Sequence, residues 1–197
     1  MAGFKYDLVP PVEQEERYDV QTGIRRRGPY KLDTTNLTAG SFLPSFTPVY
    51  ADLKNKFAYP VRNMKVIEAY TTGADALSIK VAKNSLAYAG MFIGNGKEGA
   101  KVTAIDKSDK NYDVLSIEGA LGENIAKDTV LFEAVAADGV KQKYVANSAL
   151  YNRTKVEDGI VLVALLRTAA EIEPSKLAMP FSENDKANLK GWFEFNE

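Results

Sequence analysis

The sequence predicts a mainly β protein: an antiparallel β-barrel or β-sandwich body, an extended N-terminal arm ahead of it, and one short helix near the C-terminus. Three observations carry that expectation. Short alternating or apolar runs recur about every ten residues, Gly-rich and Asp-Gly turns separate them, and a capped helical signal occurs in one place only. Neither an internal repeat of about 20–50 residues nor a low-complexity tract is present.

The arm is assigned to residues 1–46. Phe4-Lys5-Tyr6-Asp7-Leu8 alternates apolar and charged residues and stops at Pro10-Pro11, which cannot continue a central strand. Glu13, Glu15 and Glu16 follow, then a second short alternation at Tyr18-Asp19-Val20-Gln21, a charged turn at Arg25-Arg26-Arg27-Gly28-Pro29, and a polar loop from Thr34 to Ser41. Six basic and six acidic residues lie among these 46, a mixture too irregular for a core of its own. The preferred reading is a segment that orders on a partner through strand addition and Arg contacts, rather than a loose terminus.

Residues 47–197 form the β-rich body, with a subdivision near residue 136 left open. The expected strands are Pro48 to Leu53, Val61 to Tyr70 with a bulge at Val66-Ile67, Leu77 to Val81, Met91 to Ile93, Lys101 to Ile105 and Tyr112 to Ile117. Val130 to Val135, Lys143 to Ala146, Tyr151 to Val156 and Ile160 to Ile172 continue the series, the last being rich enough in Ala and Leu to read as helix instead. Asp138-Gly139 and Asp158-Gly159 are hairpin-type turns. Ser182 with Asp185 three residues on approximates a capping box for a helix ending near Gly191, and Trp192 to Phe195 reads as a closing strand.

Composition then limits the chemistry. The 197 residues include no Cys and no His, with 25 Lys+Arg against 26 Asp+Glu. Disulfides, thiolate nucleophiles, thiolate zinc sites, Ser-His triads and His-based metal centres are excluded. A formal net charge of -1 disfavours a nonspecific nucleic-acid binder. The longest apolar run, Ile160 to Leu166, falls far short of the roughly 20 residues that span a bilayer, and the first residues lack the apolar stretch of a secretory signal. No membrane association is expected, and synthesis in a cytoplasm is.

Each motif has a plainer alternative. Gly94-Asn95-Gly96-Lys97-Glu98-Gly99 spells the dinucleotide-binding pattern, but a strand follows it where a helix is needed, so a hairpin loop is expected. Asp106 to Asp113 offers oxygen ligands without the glycine and distal glutamate of a calcium loop, and reads as a solvated turn. Glu68, Glu118, Glu133 and Asp52 sit in strand-like context without a spacing that singles out the carboxylate pair of a glycosidase. No catalytic, cofactor-binding or metal-binding residues are therefore assigned, and the protein is not expected to be an enzyme. Tyr50, Tyr59, Tyr70, Phe92, Tyr112 and Phe132 are read mostly as core fillers. Phe4, Tyr6, Leu8, Tyr18, Arg25, Arg26, Arg27 and Tyr30 lie in the arm, and because aromatics and arginines are the usual anchors of interfaces, these eight are the interface candidates.

The arm, the lead-in Leu43-Pro44-Ser45-Phe46-Thr47-Pro48-Val49, the Gly-punctuated strands and the stretch Leu166-Arg167-Thr168-Ala169-Ala170-Glu171-Ile172 together resemble the small head-fibre and auxiliary (decoration) capsid proteins of tailed bacteriophages, especially those of gut Bacteroidales. The likeness covers most of the chain in order and texture. It implies a virion structural protein on the capsid exterior, docked through the arm on the major capsid protein, with other auxiliary capsid proteins as further partners and a homotrimer as its assembly. It implies no cofactor and no nucleic acid. A short knob or capsid-bound base is expected rather than a long shaft. The alternatives are a carbohydrate- or host-receptor-binding module and, behind it, a glycan hydrolase.

Overall fold

The computed structural model describes residues 17–73 and 76–196. Its fold is mainly β, with one short α-helix near the C-terminus, as the sequence predicts. The strands are β1 (Asp19–Arg25), β2 (Tyr30–Leu32), β3 (Phe42–Leu43), β4 (Pro48–Asp52), β5 (Phe57–Pro60), β6 (Asn63–Lys65), β7 (Ser78–Ala82), β8 (Phe92–Gly94), β9 (Gly99–Asp106), β10 (Tyr112–Ile117), β11 (Val130–Ala134), β12 (Ser148–Leu150), β13 (Thr154–Lys155), β14 (Leu162–Val163), β15 (Leu165–Ile172) and β16 (Phe193–Phe195). Helix α1 (Glu183–Leu189) precedes the last of them.

The middle of the chain makes a six-stranded antiparallel sheet in the order β6-β11-β8-β9-β10-β7. Clean alternation on β10, where Asp113, Leu115 and Ile117 are buried and Tyr112, Val114 and Ser116 are not, gives this sheet one inner face. Its edges then meet. Val66 bridges Val81, and the Ile67 N–H donates to the Lys80 carbonyl at 3.1 Å, so the sheet closes into a barrel filled by residues such as Met64, Ile79, Ile93, Val102, Leu115 and Leu131. The break at Val66-Ile67, read from sequence as a bulge, is where the chain swings from β11 to β7.

The segments on either side of the barrel build the second sheet, ordered β1-β15-β12-β4-β5-β2-β14, with β16 also paired to β15. Its pairs are antiparallel except β2 with β5 and β15 with β16, which are parallel. The centre of this sheet is buried on both faces. Adjacent residues of one strand point to opposite sides, so Leu150 and Leu165 enter one cluster with Tyr30, Leu43 and Val49, while Ala149 and Leu166 enter another with Phe46, Phe181 and Phe193. That double burial explains the adjacent leucines at 165 and 166, while Ile160 and Leu162 earlier in the apolar run are exposed; β14 and β15 make strand of Leu162–Val163 and Leu165–Ile172.

Some sequence expectations are corrected. Lys143 to Ala146 is irregular, the nearest pairing being a bridge between Ala134 and Gln142 just before it, and of Tyr151 to Val156 only β13 is strand. Gly159 does take a left-handed conformation (φ 103°), but the strands beside it part company: β13 pairs with β3, and β14 with β2. Tyr50 is 37% exposed rather than a core filler.

The chain crosses from sheet to barrel at 60–63 and returns at 134–147, and two buried carboxylates hold these crossings. Glu133, on β11, accepts from Arg62 Nη1 at 3.1 Å, Lys143 Nζ at 2.8 Å and the Tyr88 hydroxyl at 2.7 Å. Arg62 itself lies with its guanidinium 4.7 Å from the Tyr88 ring centroid and donates to the Thr35 carbonyl. Asp185, on α1, accepts from Asn63 Nδ2, Gln142 Nε2, the Ala146 amide and the Ser182 amide and hydroxyl. The bond from the Ser182 amide and its reciprocal, from the Asp185 amide to Ser182 Oγ at 3.2 Å, make the capping box seen in the sequence.

Burial by itself pushes the Glu133 carboxyl upward, but the hydrogen bonds from Lys143 and Tyr88 and the Arg62 charge outweigh it and hold it below the ordinary glutamate value. A depressed carboxylate stabilises the fold above its unfolded pKa of about 4.3, and that contribution disappears as pH falls through the folded value. Glu133→Gln is expected to cost about 3–5 kcal/mol at pH 7, since it leaves Arg62 buried without its counter-charge. Urea unfolding from pH 7 down to pH 3 should show the gap between wild type and variant closing below about pH 4, as the wild-type carboxylate takes up its proton. A gap independent of pH would refute the charged state of Glu133.

Candidate attachment surface

The structure separates the eight interface candidates. Phe4, Tyr6 and Leu8 lie outside the described residues. The other five are built into the chain's own fold: β1 and β2 belong to the large sheet, so the described part of the predicted arm is continuous with the body. Tyr30 is 1% exposed, packed in the sheet's core with Lys56 Nζ 4.8 Å from its ring centroid. Tyr18 is half-buried 5.0 Å from Phe46, centroid to centroid, and burial followed by nearby Tyr151 raises its pKa.

The three consecutive arginines do different things. Arg25 lies over Tyr151 at 5.2 Å. Arg26 turns inward, its Nε donating to Ser148 Oγ at 2.6 Å and its Nη2 to the Asn147 carbonyl at 2.8 Å. Arg27 is exposed. Side chains alternate across a strand, so an unbroken basic run at a strand end splits between the two faces, which residue type alone does not reveal.

Two surface features escaped the sequence reading. One is a cleft of about 1190 Å³ between the β3–β13 ribbon, the barrel loop 83–87 and Met179, with Arg17 and Tyr18 on its wall. Arg17, Lys83, Lys107 and Arg153 line it, and among the described residues no carboxylate does. Nothing local in the sequence signals this site, because its cations are up to 136 positions apart (153 − 17). The other is a stack of tyrosines on the large sheet, with Tyr144 lying 4.8 Å from Tyr59 and 5.5 Å from Tyr50 at interplanar angles of 18°. Tyr50 and Tyr59 are a directly opposed cross-strand pair, a relation invisible before the register is known.

The remaining motifs are structural. Gly94-Asn95-Gly96-Lys97-Glu98-Gly99 is the β8–β9 hairpin, as expected, and its glycines have a packing reason. A Cβ on Gly94 or Gly99 would overlap the backbone of Gly139, whose turn folds over the hairpin and accepts from the Gly96 amide at 3.1 Å. Asp106 to Asp113 runs from the end of β9 through a turn into β10; Asp106 and Asp109 accept from the amides of Ser108 and Asn111, while Asp113 is buried on β10 rather than solvated. Glu68 and Glu118 face solvent in pairs with Lys80 and Lys101.

Arg26→Ala deletes two hydrogen bonds and leaves the buried Ser148 hydroxyl with only its bond to Asn147 Oδ1, so it should lower the unfolding free energy by about 1–3 kcal/mol. Arg27→Ala should change it by less than about 0.5 kcal/mol. Equal losses in urea titrations of the two variants would contradict the placement of these side chains.

Neither the curated proteins nor the solved structures yield a match to this chain. One family does, described as head fiber protein, and it matches residues 2–194, which includes the N-terminal segment, the barrel and the large sheet together. With all but four of its residues inside that match, the chain belongs to the head fiber protein family of phages.

Proposed function

We propose that this virion structural protein attaches to the outside of the major capsid shell through its N-terminal segment and projects the barrel-and-sheet body outward. The match of the head fiber family across residues 2–194 is the observation that carries this reading. The source proposed is a tailed phage of gut Bacteroidales, and the assembly proposed is a homotrimer with the major capsid protein, and auxiliary capsid proteins beside it, as partners.

The structure sharpens which residues are available for attachment. Tyr30 and Arg26 are occupied inside the body, and Tyr18 and Arg25 rest on Phe46 and Tyr151. The candidates left to face a partner are Phe4, Tyr6 and Leu8, whose aromatic and aliphatic side chains alternate with Lys5 and Asp7, together with exposed Arg27. A strand-like segment of that pattern suits addition to an open sheet edge on the shell.

Two truncations test this. Every strand described above starts after Tyr18, so removal of residues 2–16 should leave the thermal midpoint close to that of the intact chain and abolish incorporation into virions. Removal of residues 2–31 also deletes β1, most of β2 and the buried Tyr30, and should unfold or strongly destabilise the body. Virions assembled in cells that express each form, purified and examined by electron microscopy, give the readout. Normal incorporation of the shorter truncation would overturn attachment through the N-terminal segment.

A further inference from the structure

We propose that the basic cleft beside Arg17 is a docking groove for an extended acidic polypeptide segment of a partner protein, one that carries several carboxylates and an apolar side chain. The inference goes beyond attachment through the N-terminal segment, since it concerns a different set of residues and a ligand that enters the body.

Three observations point to this occupant. The first is charge. The chain as a whole is nearly neutral, with a formal net charge of -1, yet the described residues lining this cleft include four cations and no anion. Lys83 is already neutralised, its Nζ 3.0 Å from the buried Asp113 carboxylate, which also accepts from the Ser85 amide and hydroxyl. Arg17, Lys107 and Arg153 pair with no carboxylate among the described residues, although the positive field of three such groups inside one concavity is lowered by an anion. The second is an apolar foothold. Phe42 is 48% exposed on the wall, with the Arg153 guanidinium 3.9 Å from its ring centroid, so an incoming apolar side chain finds a ring and an incoming carboxylate finds the guanidinium above it.

The third is backbone. β3, which carries Phe42, belongs to a ribbon of two strands and, among the described residues, pairs with β13 alone, so a further strand can be added at its other edge. Strand addition there supplies main-chain hydrogen bonds, and the cations select acidic side chains. This favours a polypeptide over a nucleic acid, for which three unpaired cations supply few phosphate contacts.

The test uses the full-length chain and a fluorescently labelled Glu-Glu-Phe-Glu-Glu peptide, blocked at both ends, followed by anisotropy. Saturable binding is expected, weakening as salt rises from about 50 to about 300 mM. Lys107→Glu, alone and combined with Arg153→Glu, should weaken it at least about tenfold, and Lys127→Glu together with Lys190→Glu, at exposed lysines outside the cleft, should not. Thermal melting of each variant separates loss of binding from loss of fold, and the exposed Lys107 keeps the test usable if the double variant melts early. Absence of binding, equal weakening by the control variant, or tighter binding of a single-stranded DNA of the same length and charge would each overturn the proposal. Binding that emerges only after residues 2–16 are removed would also overturn it, in favour of the chain's own Glu13, Glu15 and Glu16 as occupant.

Discussion

Glu133 and Asp185 are two carboxylates out of water, and the relation between barrel and sheet depends on how they are satisfied. A buried charge without partners costs several kcal/mol, so each must collect donors from whatever surrounds it. Glu133 collects them from Arg62, Tyr88 and Lys143, that is, from the outgoing crossing, a barrel loop and the returning crossing. Asp185 collects them from Asn63, Gln142 and Ala146, again one donor on the way out and two on the way back, and the oxygen that receives Asn63 also takes the Ser182 amide of the capping box. Apolar contacts slide at modest cost, whereas hydrogen bonds to a fixed carboxylate require one geometry. Through these two groups the barrel is held at one orientation to the sheet, and the helix is held to both.

That orientation sets up the surface. The basic cleft has one wall from the ribbon of β3 and β13 and another from the barrel loop 83–87, so it exists only where the two units meet. Arg62 reinforces the same meeting, because it binds Glu133 on one side and the Thr35 carbonyl on the other, just before the loop that enters the cleft. Asp113 plays a smaller version of the same part by fixing Lys83 and Ser85 on the barrel wall.

Legibility in the sequence followed the range of the interactions. Elements set by local chemistry could be read directly: the Ser182–Asp185 capping box, the hairpin at Gly94 to Gly99, the alternating strand at Tyr112 to Ile117, and the closing strand at Phe193. Elements set by distant partners could not. Tyr30 and Leu32 come one and three residues after a charged turn and look like part of a loose arm, yet they lie between β5 and β14, and only the parallel pairing of Lys31 with Phe57 makes room for them. Thr154 and Leu162 flank a good turn but pair with strands more than a hundred residues upstream. The cleft was illegible for the same reason, since its cations come from four separate segments.

The edges of the large sheet show how a protein with so much open strand can exist in many copies without fusing edge to edge. Exposed edges are templates for further pairing unless they are short, irregular or charged. β14 is kept to two residues. β1 is longer, and it is broken instead: its register with β15 shifts between Asp19 and Ile24 and again before Arg25, and hydroxyl groups replace part of the ladder, with Thr22 receiving the Ala170 amide and Thr168 donating to the Thr22 carbonyl. Asp19, Arg25 and exposed Arg27 add charge along it. A strand held this way is among the first to open locally, because its backbone bonds are few and Val20 and Ile24 are exposed rather than packed. Ahead of it the chain is already held to the body, Arg17 donating to Ser45 Oγ at 2.7 Å and Tyr18 packing on Phe46.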